Sequence, residues 1–599
     1  ADTAFNVFMA EGYPGYSYLL DELHATTLWE RKGGFDPAAD PTGKTAPGRS
    51  LNHPFHSGYD GWFYEGLGGI RPLEDSVGYQ VFELRPNFVA GLEWVDVSYA
   101  TDYGDITSNW RRDDNSVEWN FQVPNNTSAW VTLPNKPKEL FSAGNYSFVL
   151  EDTSVSVDSS TQTVEGPQVT QPPNILLILS DDHAWSDYGF MGHEHIRTPS
   201  IDRLAREGVT FKRGYVPTAL CRPSLATIAT GLYASQHGIT GNDPSRLVEG
   251  GKGSPLYQQL RAQIIDKIDQ VETLPELLRT KGYVSLQTGK WWEGSYRKGG
   301  FDEGMTRGFP EPGGRHGDDG LKIGREGLEA ITQFIDQASG ENVPFFVWYA
   351  PYMPHSPHTP PHRLLENYEN KGLPEPVAKY YAMIEWFDET NGQLLSHLDE
   401  KGLIDNTLIV YIADNGWVTN PEQTGRFLPR SKQSPDENGI RTPIIFSLPG
   451  QFEPQMRSEL VSSIDIVPTI LAAAGLDIPA ELSGENLYSV MRQKTPLDRD
   501  TIYGEGFAHD MANISDPEAS LLYRWVIEGD WKLILSYDGA NHSYQKYHVD
   551  TLGGPRLFDL ANDAEETTNV AGSHPELVER LSEKIAAWYP LKTRQILQE

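Results

Sequence analysis

The fold class is decided by the stretch N-I-L-L-I-L-S-D-D, residues 174–182. Its aliphatic residues follow one another without the polar alternation of a half-exposed strand, which is typical of a strand buried on both faces. Later segments have the same character and are separated by residues with helical spacing; they are residues 283–288, 344–350 and 406–413. Strands of this kind that alternate with helices predict an α/β domain built on a mixed, largely parallel sheet.

Polar residues follow each of these predicted strands. The strands lead into Asp181-Asp182-His183, Gly289-Lys290-Trp291-Trp292, Pro354-His355-Ser356-Pro357-His358 and Asp414-Asn415-Gly416. Open α/β sheets bind ligands beyond the carboxyl ends of their strands. We therefore expect these segments to converge on one site.

The rest of the chain divides into segments that differ in the periodicity of their hydrophobic residues. With 599 residues it is too long for a single hydrophobic core. Residues 1–67 have helix-like spacing, and residues 68–152 alternate apolar and polar residues between turn signals such as P-N-N-T, which predicts an antiparallel β-sandwich. A Ser/Thr-rich linker, residues 153–173, precedes the α/β domain of residues 174–494 and an α+β C-terminal subdomain of residues 495–599.

The composition excludes two classes of partner. Acidic residues outnumber basic ones, 83 to 49, and the formal net charge is -34 at pH 7. Nucleic acids and anionic membrane surfaces would be repelled, so an anionic substrate has to meet a focused cluster of Lys, Arg and His side chains. No apolar run approaches the roughly 18 residues that span a bilayer. The chain begins A-D-T-A-F without Met or a signal peptide, and we expect a processed or excised part of a larger protein. We also expect that protein to be exported.

The single cysteine, Cys221, lies in the stretch T-A-L-C-R-P-S-L-A-T-I-A-T-G, residues 218–231. A lone cysteine is most often a small buried hydrophobic residue, and it excludes an intramolecular disulfide. Here Pro223 suits the first turn of a helix, and helical character follows it. Cys221 is thus expected at a helix N-terminus, where the helix dipole favours a thiolate or a bound oxyanion.

Hard oxygen donors follow two of the predicted strands. Taken singly, Asp-Asp and Asp-Asn pairs are usual in turns and helix caps. Taken together at equivalent strand ends they predict a divalent cation site, for Ca²⁺ or less readily Mg²⁺, because no imidazole or thiolate cluster accompanies them. The predicted ligands are Asp181, Asp182, Asp414 and Asn415.

Lys290, Lys432 and His355 add cationic and titratable groups after or shortly beyond the same strands. In isolation the lysines would be solvated surface charges and the histidine a hydrogen-bonded loop residue. At one sheet edge, beside a cation, they would form a site for a tetrahedral oxyanion.

Five separated motifs occur in one order: N-I-L-L-I-L-S-D-D, C-R-P-S followed by A-T-I-A-T-G, T-G-K-W, P-H-S-P and A-D-N-G. In these motifs residues 174–588 resemble the S1-type, formylglycine-dependent sulfatases of the alkaline phosphatase superfamily. The resemblance implies that a maturation enzyme oxidises Cys221 to formylglycine, whose aldehyde supplies the nucleophile. It implies that Cys221 joins the oxygen donors as a ligand of Ca²⁺. It also implies that Lys290 and Lys432 bind sulfate and that His355 protonates the leaving oxygen.

Two positions depart from the family pattern. Leu225 stands where the motif C-x-P-S-Arg has its arginine, and Trp292 stands where G-K-W-H has its histidine. The departures indicate either a variant subfamily or a decayed, inactive member. In a variant subfamily another residue has to supply the imidazole, and His316, in the loop R-H-G-D-D-G, is the predicted replacement.

Residues 1–151 resemble the end of a bacterial α-L-rhamnosidase in A-T-T-L-W-E, G-W-F-Y-E-G-L-G-G-I and W-V-D-V-S-Y-A-T-D-Y-G. The resemblance implies the last helices of an (α/α) barrel and the β-sandwich that follows. Glu30 matches the proposed base of that family, but the acidic cluster that carries the acid has no counterpart. Glycoside hydrolysis normally needs two carboxyl groups, so this part is expected to be inactive.

The two resemblances together predict a carbohydrate sulfatase that acts on a rhamnose-containing algal polysaccharide such as ulvan, or on its oligosaccharides. A phosphoesterase of the same superfamily is an alternative, but it would use Thr or Ser as nucleophile and a His-rich site for two zinc ions. The other alternative is a non-catalytic protein that binds sulfated glycans on a decayed sulfatase scaffold.

Overall fold

The computed structural model describes residues 63–151, 172–537 and 554–592, apart from residues 74, 75, 77, 89–91, 114, 115, 134–137 and 246. The chain divides into two compact units, residues 1–166 and 167–599. The predicted helical segment 1–67, with Glu30, and the predicted linker lie almost entirely outside the described residues. Their bounds therefore stay predictions.

The described part of the first unit forms a six-stranded sheet. Its strands are β1 (Ile70–Pro72), β2 (Val81–Leu84), β3 (Trp94–Thr101), β4 (Gly104–Asp113), β5 (Ser116–Val131) and β6 (Glu139–Glu151). Alternate residues of β5, including Val117, Trp119 and Phe121, are buried in the core of the sheet, while Glu118 and Asn120 are exposed. This alternation is the one that the sequence predicts, and the presence of a β-rich N-terminal region is confirmed.

Two details of the predicted sandwich are wrong. The stretch P-N-N-T, residues 124–127, does not separate two strands but lies within β5, where the pairing with β6 shifts register between Val123 and Ser128. The residues of this turn signal form a bulge within the strand, because β6 pairs with β5 on both sides of them. The sheet is also not fully antiparallel, since β2 pairs in parallel with the second half of β5.

The second unit holds the larger α/β fold. Its strands are β7 (Asn174–Ser180), β8 (Val209–Tyr215), β9 (Asp243–Pro244), β10 (Val284–Gly289), β11 (Glu303–Gly304), β12 (Phe345–Ala350), β13 (Thr407–Ala413), β14 (Arg441–Ser447), β15 (Gln455–Ser462), β16 (Thr501–Phe507), β17 (Asp510–Met511), β18 (Leu521–Glu528), β19 (Trp531–Ser536) and β20 (Arg556–Asp559). Its helices are α1 (Pro199–Glu207), α2 (Cys221–Thr230), α3 (Ala234–His237), α4 (Pro255–Ile265), α5 (Leu274–Arg279), α6 (Glu329–Gly340), α7 (His362–Glu369), α8 (Glu375–Glu400), α9 (Glu437–Ile440), α10 (Ile466–Ala473), α11 (Leu487–Gln493) and α12 (Pro575–Trp588).

The main sheet has the order β11-β10-β12-β7-β13-β14-β8-β15. The pairings are parallel except for those of β14, which runs antiparallel to both its neighbours. All residues of β7 are buried, and they alternate between two cores: Ile175 and Leu177 pack with α2 and α10, whereas Leu176 and Ile178 pack with α1, α6 and α8. The predicted α/β fold with a mixed, largely parallel sheet is confirmed.

A smaller antiparallel sheet lies in the predicted C-terminal subdomain. It has the order β16-β18-β19-β20, and Leu581 and Ile585 of α12 pack against it. A separate two-residue parallel bridge joins β17 of this segment to β9. Among the described residues, every helix is too short or too polar to cross a membrane.

Candidate active site

The candidate site lies at the carboxyl ends of neighbouring strands of the main sheet. The strands β10, β12, β7 and β13 are adjacent and parallel, so their carboxyl ends lie at one edge of the sheet. Lys290, Asp181 and Asp414 come directly after β10, β7 and β13, and His355 lies in the loop after β12. The topology thus brings together the segments that the sequence predicts to converge.

Lys290 connects two of these strand ends. Its Nζ atom donates hydrogen bonds to both carboxylate oxygens of Asp181, at 2.7 and 2.8 Å, and lies 3.8 Å from Oδ2 of Asp414. All three side chains are buried. The carboxylates raise the pKa of Lys290 well above its usual value against the effect of burial, so this lysine is a fixed cation.

Asp182 contacts three further residues of the predicted site, which are Lys432, Asn415 and His355. Its Oδ1 atom accepts hydrogen bonds from Nζ of Lys432 at 2.5 Å and from Nδ2 of Asn415 at 2.7 Å. Its Oδ2 atom lies 3.5 Å from Nε2 of His355. Burial alone would raise the pKa of Asp182, but the charges of Lys432 and Lys290 lower it to about 2. Asp182 is therefore an ionised carboxylate.

The oxygen atoms of these side chains fit a divalent cation. Oδ2 of Asp182, Oδ2 of Asp414 and Oδ1 of Asn415 are buried and have no hydrogen-bond partner. Burial raises the pKa of Asp414, because the local positive charge does not fully compensate for its desolvation. Donor atoms of Asp181, Asp182, Cys221 and His355 also lie within 4.8 Å of one another. Unpartnered buried oxygens of this kind are what a hard cation such as Ca²⁺ or Mg²⁺ would bind.

Cys221 is the first residue of α2, as the sequence predicts, and it is buried. Burial raises the pKa of its thiol to about 11, although Lys290 and Lys432 act in the opposite direction. Desolvation thus outweighs the charges of both lysines. The unmodified side chain is a neutral thiol at neutral pH, which is a poor nucleophile.

One pocket contains Cys221 together with Lys290, Lys432, His355 and His316. The ring of His316 lies between two aromatic rings, with centroids 5.1 Å from Trp292 and 5.3 Å from Tyr352. Burial, with the charges of Lys290 and Arg315, lowers the pKa of His316 to about 2, and its buried Nδ1 atom has no hydrogen-bond partner. The predicted replacement imidazole therefore lines the same pocket as Cys221.

His355 is held by its surroundings. Its Nδ1 atom lies 2.6 Å from the carbonyl oxygen of Ser356, and its ring stacks on that of Tyr352 at 4.3 Å. The Nδ1 contact leaves Nε2 facing Asp182 and the pocket. Burial lowers the pKa of His355 well below its usual value.

The two positions that depart from the family pattern have different surroundings. Trp292 lines the pocket, so the residue in the histidine position still faces the site. Leu225 is buried in the core between α2 and the main sheet and is not among the lining residues. The Leu225 side chain therefore makes apolar contacts in the core and does not face the site.

Several residues of the pocket wall are not predicted from the sequence. Tyr352 and Trp417 lie within a few residues of predicted site residues, so the motifs P-Y-M-P-H and A-D-N-G-W could have indicated them. Arg315 directly precedes the predicted His316, in the loop R-H-G-D-D-G. Arg426 and His509 have no such signal. Arg426 reaches the pocket from a loop, and His509 reaches it from the position directly before β17, which pairs with β9. The hydrophobic periodicity of the sequence does not indicate either position.

A second buried cluster borders this wall. Donor atoms of Asp243, His509 and Asp510 lie within 4.8 Å of one another. Asp243 forms ion pairs with Arg261 at 3.1 Å and with Arg315 at 2.6 Å, and His509 contacts Asp510 at 2.6 Å. Since the arginines already compensate the charge of Asp243, the cluster is an ion-pair network that supports Arg315.

Comparison with known protein families shows which family this chain belongs to. Residues 173–476 match the family model described as Sulfatase. The chain belongs to the sulfatase family. Residues 431–589 also match the model for the C-terminal region of N-sulphoglucosamine sulphohydrolase. Residues 69–147 match the bacterial alpha-L-rhamnosidase C-terminal domain, in agreement with the second resemblance.

Curated relatives and solved structures that are similar to this chain include several sulfatases. The chain is 27% identical over 480 residues to human arylsulfatase A, covering 70% of this chain and 88% of that one. It is 24% identical over 534 residues to a sulfatase of Formosa agariphila, covering 72% and 90%. The fold is similar to that of the PsFucS1 sulfatase from Pseudoalteromonas sp., with a TM-score of 0.53, 21% identity and coverage of 71% and 92%.

This member of the sulfatase family is a sulfuric ester hydrolase. Sulfatases generally use a formylglycine and a divalent metal, and the cluster around Cys221 supplies residues for both. The alternatives of a phosphoesterase and of a non-catalytic glycan-binding protein are not favoured by these relatives.

Proposed function

We propose that this sulfatase hydrolyses sulfate esters of a rhamnose-containing algal polysaccharide such as ulvan, or of its oligosaccharides. The observation that carries hydrolysis is the convergence of Lys290, Lys432 and His355 on the pocket that contains Cys221. The substrate class is supported by the rhamnosidase-type domain in the same chain, because a sulfatase and a rhamnosidase module belong together where rhamnose carries sulfate. Since a polysaccharide does not cross a membrane intact, the enzyme would act as an exported protein.

Lys290 and Lys432 are proposed to bind the oxygens of the sulfate group. Both are buried, and ion pairs with Asp181 and Asp182 hold their ammonium groups in place before substrate arrives. A preorganised pair of buried cations stabilises the charge that develops at sulfate oxygens, which is commonly the largest catalytic contribution.

His355 is proposed to carry a proton at Nε2 to the departing sugar oxygen. The carbonyl of Ser356 fixes Nδ1, so Nε2 is the atom that faces the reacting group. The negative charge of a bound sulfate and of Asp182 favours protonation of this atom against the effect of burial. A positioned proton donor typically accelerates such a step by about 10²- to 10⁴-fold.

The site is proposed to hold Ca²⁺ through Asp181, Asp182, Asp414, Asn415 and residue 221. Such a cation would acidify a hydroxyl nucleophile and polarise sulfate oxygens when bound. Residue 221 is proposed to be formylglycine, produced from Cys221 by a formylglycine-generating maturation enzyme. Support comes from the position of the only cysteine, at the start of α2 within the pocket.

The test measures both chemistry and maturation. The protein is coexpressed with a maturation enzyme, peptide mass spectrometry follows residue 221, and ion chromatography follows sulfate released from sulfated rhamno-oligosaccharides. We expect the aldehyde at residue 221 and sulfate release, both of which Cys221→Ala abolishes. Equal sulfate release by Cys221→Ala would contradict the role of this residue. Release from other sulfated sugars alone would contradict the proposed substrate.

A further inference from the structure

We propose that Arg426 binds a second anionic group of the substrate, so that the enzyme selects sugars that carry a carboxylate or another sulfate beside the sulfate ester that it cleaves. This inference rests on the proposed function, because it takes Lys290 and Lys432 as the residues that hold the sulfate to be released. Arg426 is then a specificity residue at the rim of the same pocket.

The side chains that line the pocket differ in their charge from the protein as a whole. The chain has a formal net charge of -34. The described residues that line the pocket nevertheless include four permanent cations and no Asp or Glu; the cations are Lys290, Arg315, Arg426 and Lys432. Positive charge at the pocket attracts anionic substrates, which the acidic remainder of the protein would repel.

Three of these cations have buried carboxylate partners. Lys290 pairs with Asp181 at 2.7 Å, and Lys432 pairs with Asp182 at 2.5 Å. Arg315 is held by Asp243 at 2.6 Å and lies over the ring of Trp292. These pairs fix the cations in the floor and one wall of the pocket.

Arg426 differs from the other three. Its side chain is exposed, and within the described part of the chain it has neither an ion-pair partner nor a side-chain hydrogen bond. A substrate with a single sulfate would occupy the two lysines and leave this guanidinium without a counter-charge. A second anionic group would complete the pairing, since a guanidinium forms bidentate hydrogen bonds with carboxylate and with sulfate-like oxyanions.

The backbone around Arg426 is held in place. The N–H of Asn420 donates to the carbonyl of Arg426 at 2.7 Å, and the N–H of Leu428 donates to the carbonyl of Val418 at 2.8 Å. The next residue, Phe427, packs its ring 5.0 Å from that of Trp417, directly after the predicted cation ligands. This short ribbon, residues 418–428, therefore presents Arg426 from a fixed position at the pocket.

The experiment uses the mature enzyme and three disaccharides. One carries a single sulfate on an otherwise neutral sugar, one has a uronic acid next to the sulfated sugar, and one carries a second sulfate. Wild type is expected to show kcat/KM about 10-fold higher on one or both dianionic substrates, through a lower KM, which corresponds to one charge-assisted contact. The two dianionic substrates distinguish a carboxylate from a second sulfate as the group that is bound.

Arg426→Gln is expected to remove most of this preference, and Arg426→Lys to restore part of it. Arg206→Gln, at an exposed position of α1, makes the same charge change elsewhere and should leave the preference unchanged. Equal kcat/KM of wild type on all three substrates, or an unchanged preference in Arg426→Gln, would overturn the inference. Failure of the mature wild type to release sulfate from any of them would instead contradict the proposed function.

Discussion

The ammonium group of Lys290 lies 2.7 and 2.8 Å from the two carboxylate oxygens of Asp181. The two residues follow β10 and β7, which do not pair with each other because β12 lies between them. The contact therefore connects strand ends across the middle of the sheet edge. It also neutralises one carboxylate in a site that contains three, so removal of the lysine leaves a buried negative charge without its partner.

Lys290→Ala should destabilise the metal-free protein by about 3–5 kcal/mol, the usual cost of leaving one member of a buried ion pair alone. Ca²⁺ should reduce this loss, because a cation bound among Asp181, Asp182 and Asp414 replaces the missing positive charge. Thermal unfolding with and without Ca²⁺ measures both effects, with Lys401→Ala, at an exposed ion pair, as control. A loss of stability that Ca²⁺ leaves unchanged would argue against a cation at this position.

A chelator should abolish sulfate release, and Ca²⁺ should restore it. Asp414→Ala should act in the same way and should not respond to Ca²⁺, because one of the unpartnered oxygen atoms is then absent. Sulfate release and Ca²⁺ binding by calorimetry are measured together. Full activity in metal-free protein would exclude the cation site.

His316→Ala should lower kcat by roughly 10²-fold or more, the scale of a positioned acid or base, while the protein still folds and binds Ca²⁺. His362→Ala, whose side chain is 74% exposed, is the matched control and should have no effect. Leu225→Arg should not rescue His316→Ala, because a guanidinium does not transfer a proton near neutral pH and position 225 lies in the apolar core. Unchanged turnover in His316→Ala would make this residue part of the pocket wall only.

The stability of the fold should depend on the titration of Glu505, a buried residue of β16 outside the pocket. Burial raises the pKa of Glu505 from 4.5 to about 7 in the folded protein. The folded state therefore binds the proton more tightly, and this contribution to stability is complete below pH 4.5 and is lost as the pH rises through 7. Between pH 5 and pH 8 the free energy of unfolding of wild type should fall by up to about 3 kcal/mol relative to Glu505→Gln.

Urea unfolding at a series of pH values measures this difference. Glu422→Gln, at an exposed loop position, should follow wild type throughout. A wild-type curve parallel to that of Glu505→Gln would show that the carboxyl group is ionised in the folded protein at all of these pH values.

The N-terminal third should release no rhamnose from aryl or oligosaccharide rhamnosides. Only Glu30 matches one member of the carboxyl pair that glycoside hydrolysis requires, and it lies outside the described residues. Chromatographic detection of free rhamnose is the measurement, with an intact rhamnosidase as positive control. Turnover well above the blank would contradict this prediction.

The parts of the site that follow parallel strands could be predicted from the sequence. A buried parallel strand has a recognisable apolar run, and the geometry of the sheet then brings every carboxyl end to the same edge. Asp181, Lys290 and Asp414 each come directly after such a run, so their convergence follows from the strand pattern alone.

The pocket wall could not be predicted in the same way. Arg315 owes its position to Asp243, and His509 reaches the pocket through the two-residue bridge between β9 and β17. These contacts join segments far apart in the chain and leave no periodic pattern. The predicted strand break at P-N-N-T failed for a related reason, since the pairing of β5 with β6 on both sides overrides this local turn signal.

The bridge between β9 and β17 also sets an order of events during synthesis. Asp243 becomes available soon after Cys221 has left the ribosome, but the pocket wall is complete only when His509 arrives from the C-terminal segment. Until then the segment around Cys221, which is buried in the finished fold, lacks part of its cover. A modifying enzyme that needs access to this side chain therefore has its opportunity on the growing chain, and a premature stop before β17 would leave a pocket open on one side.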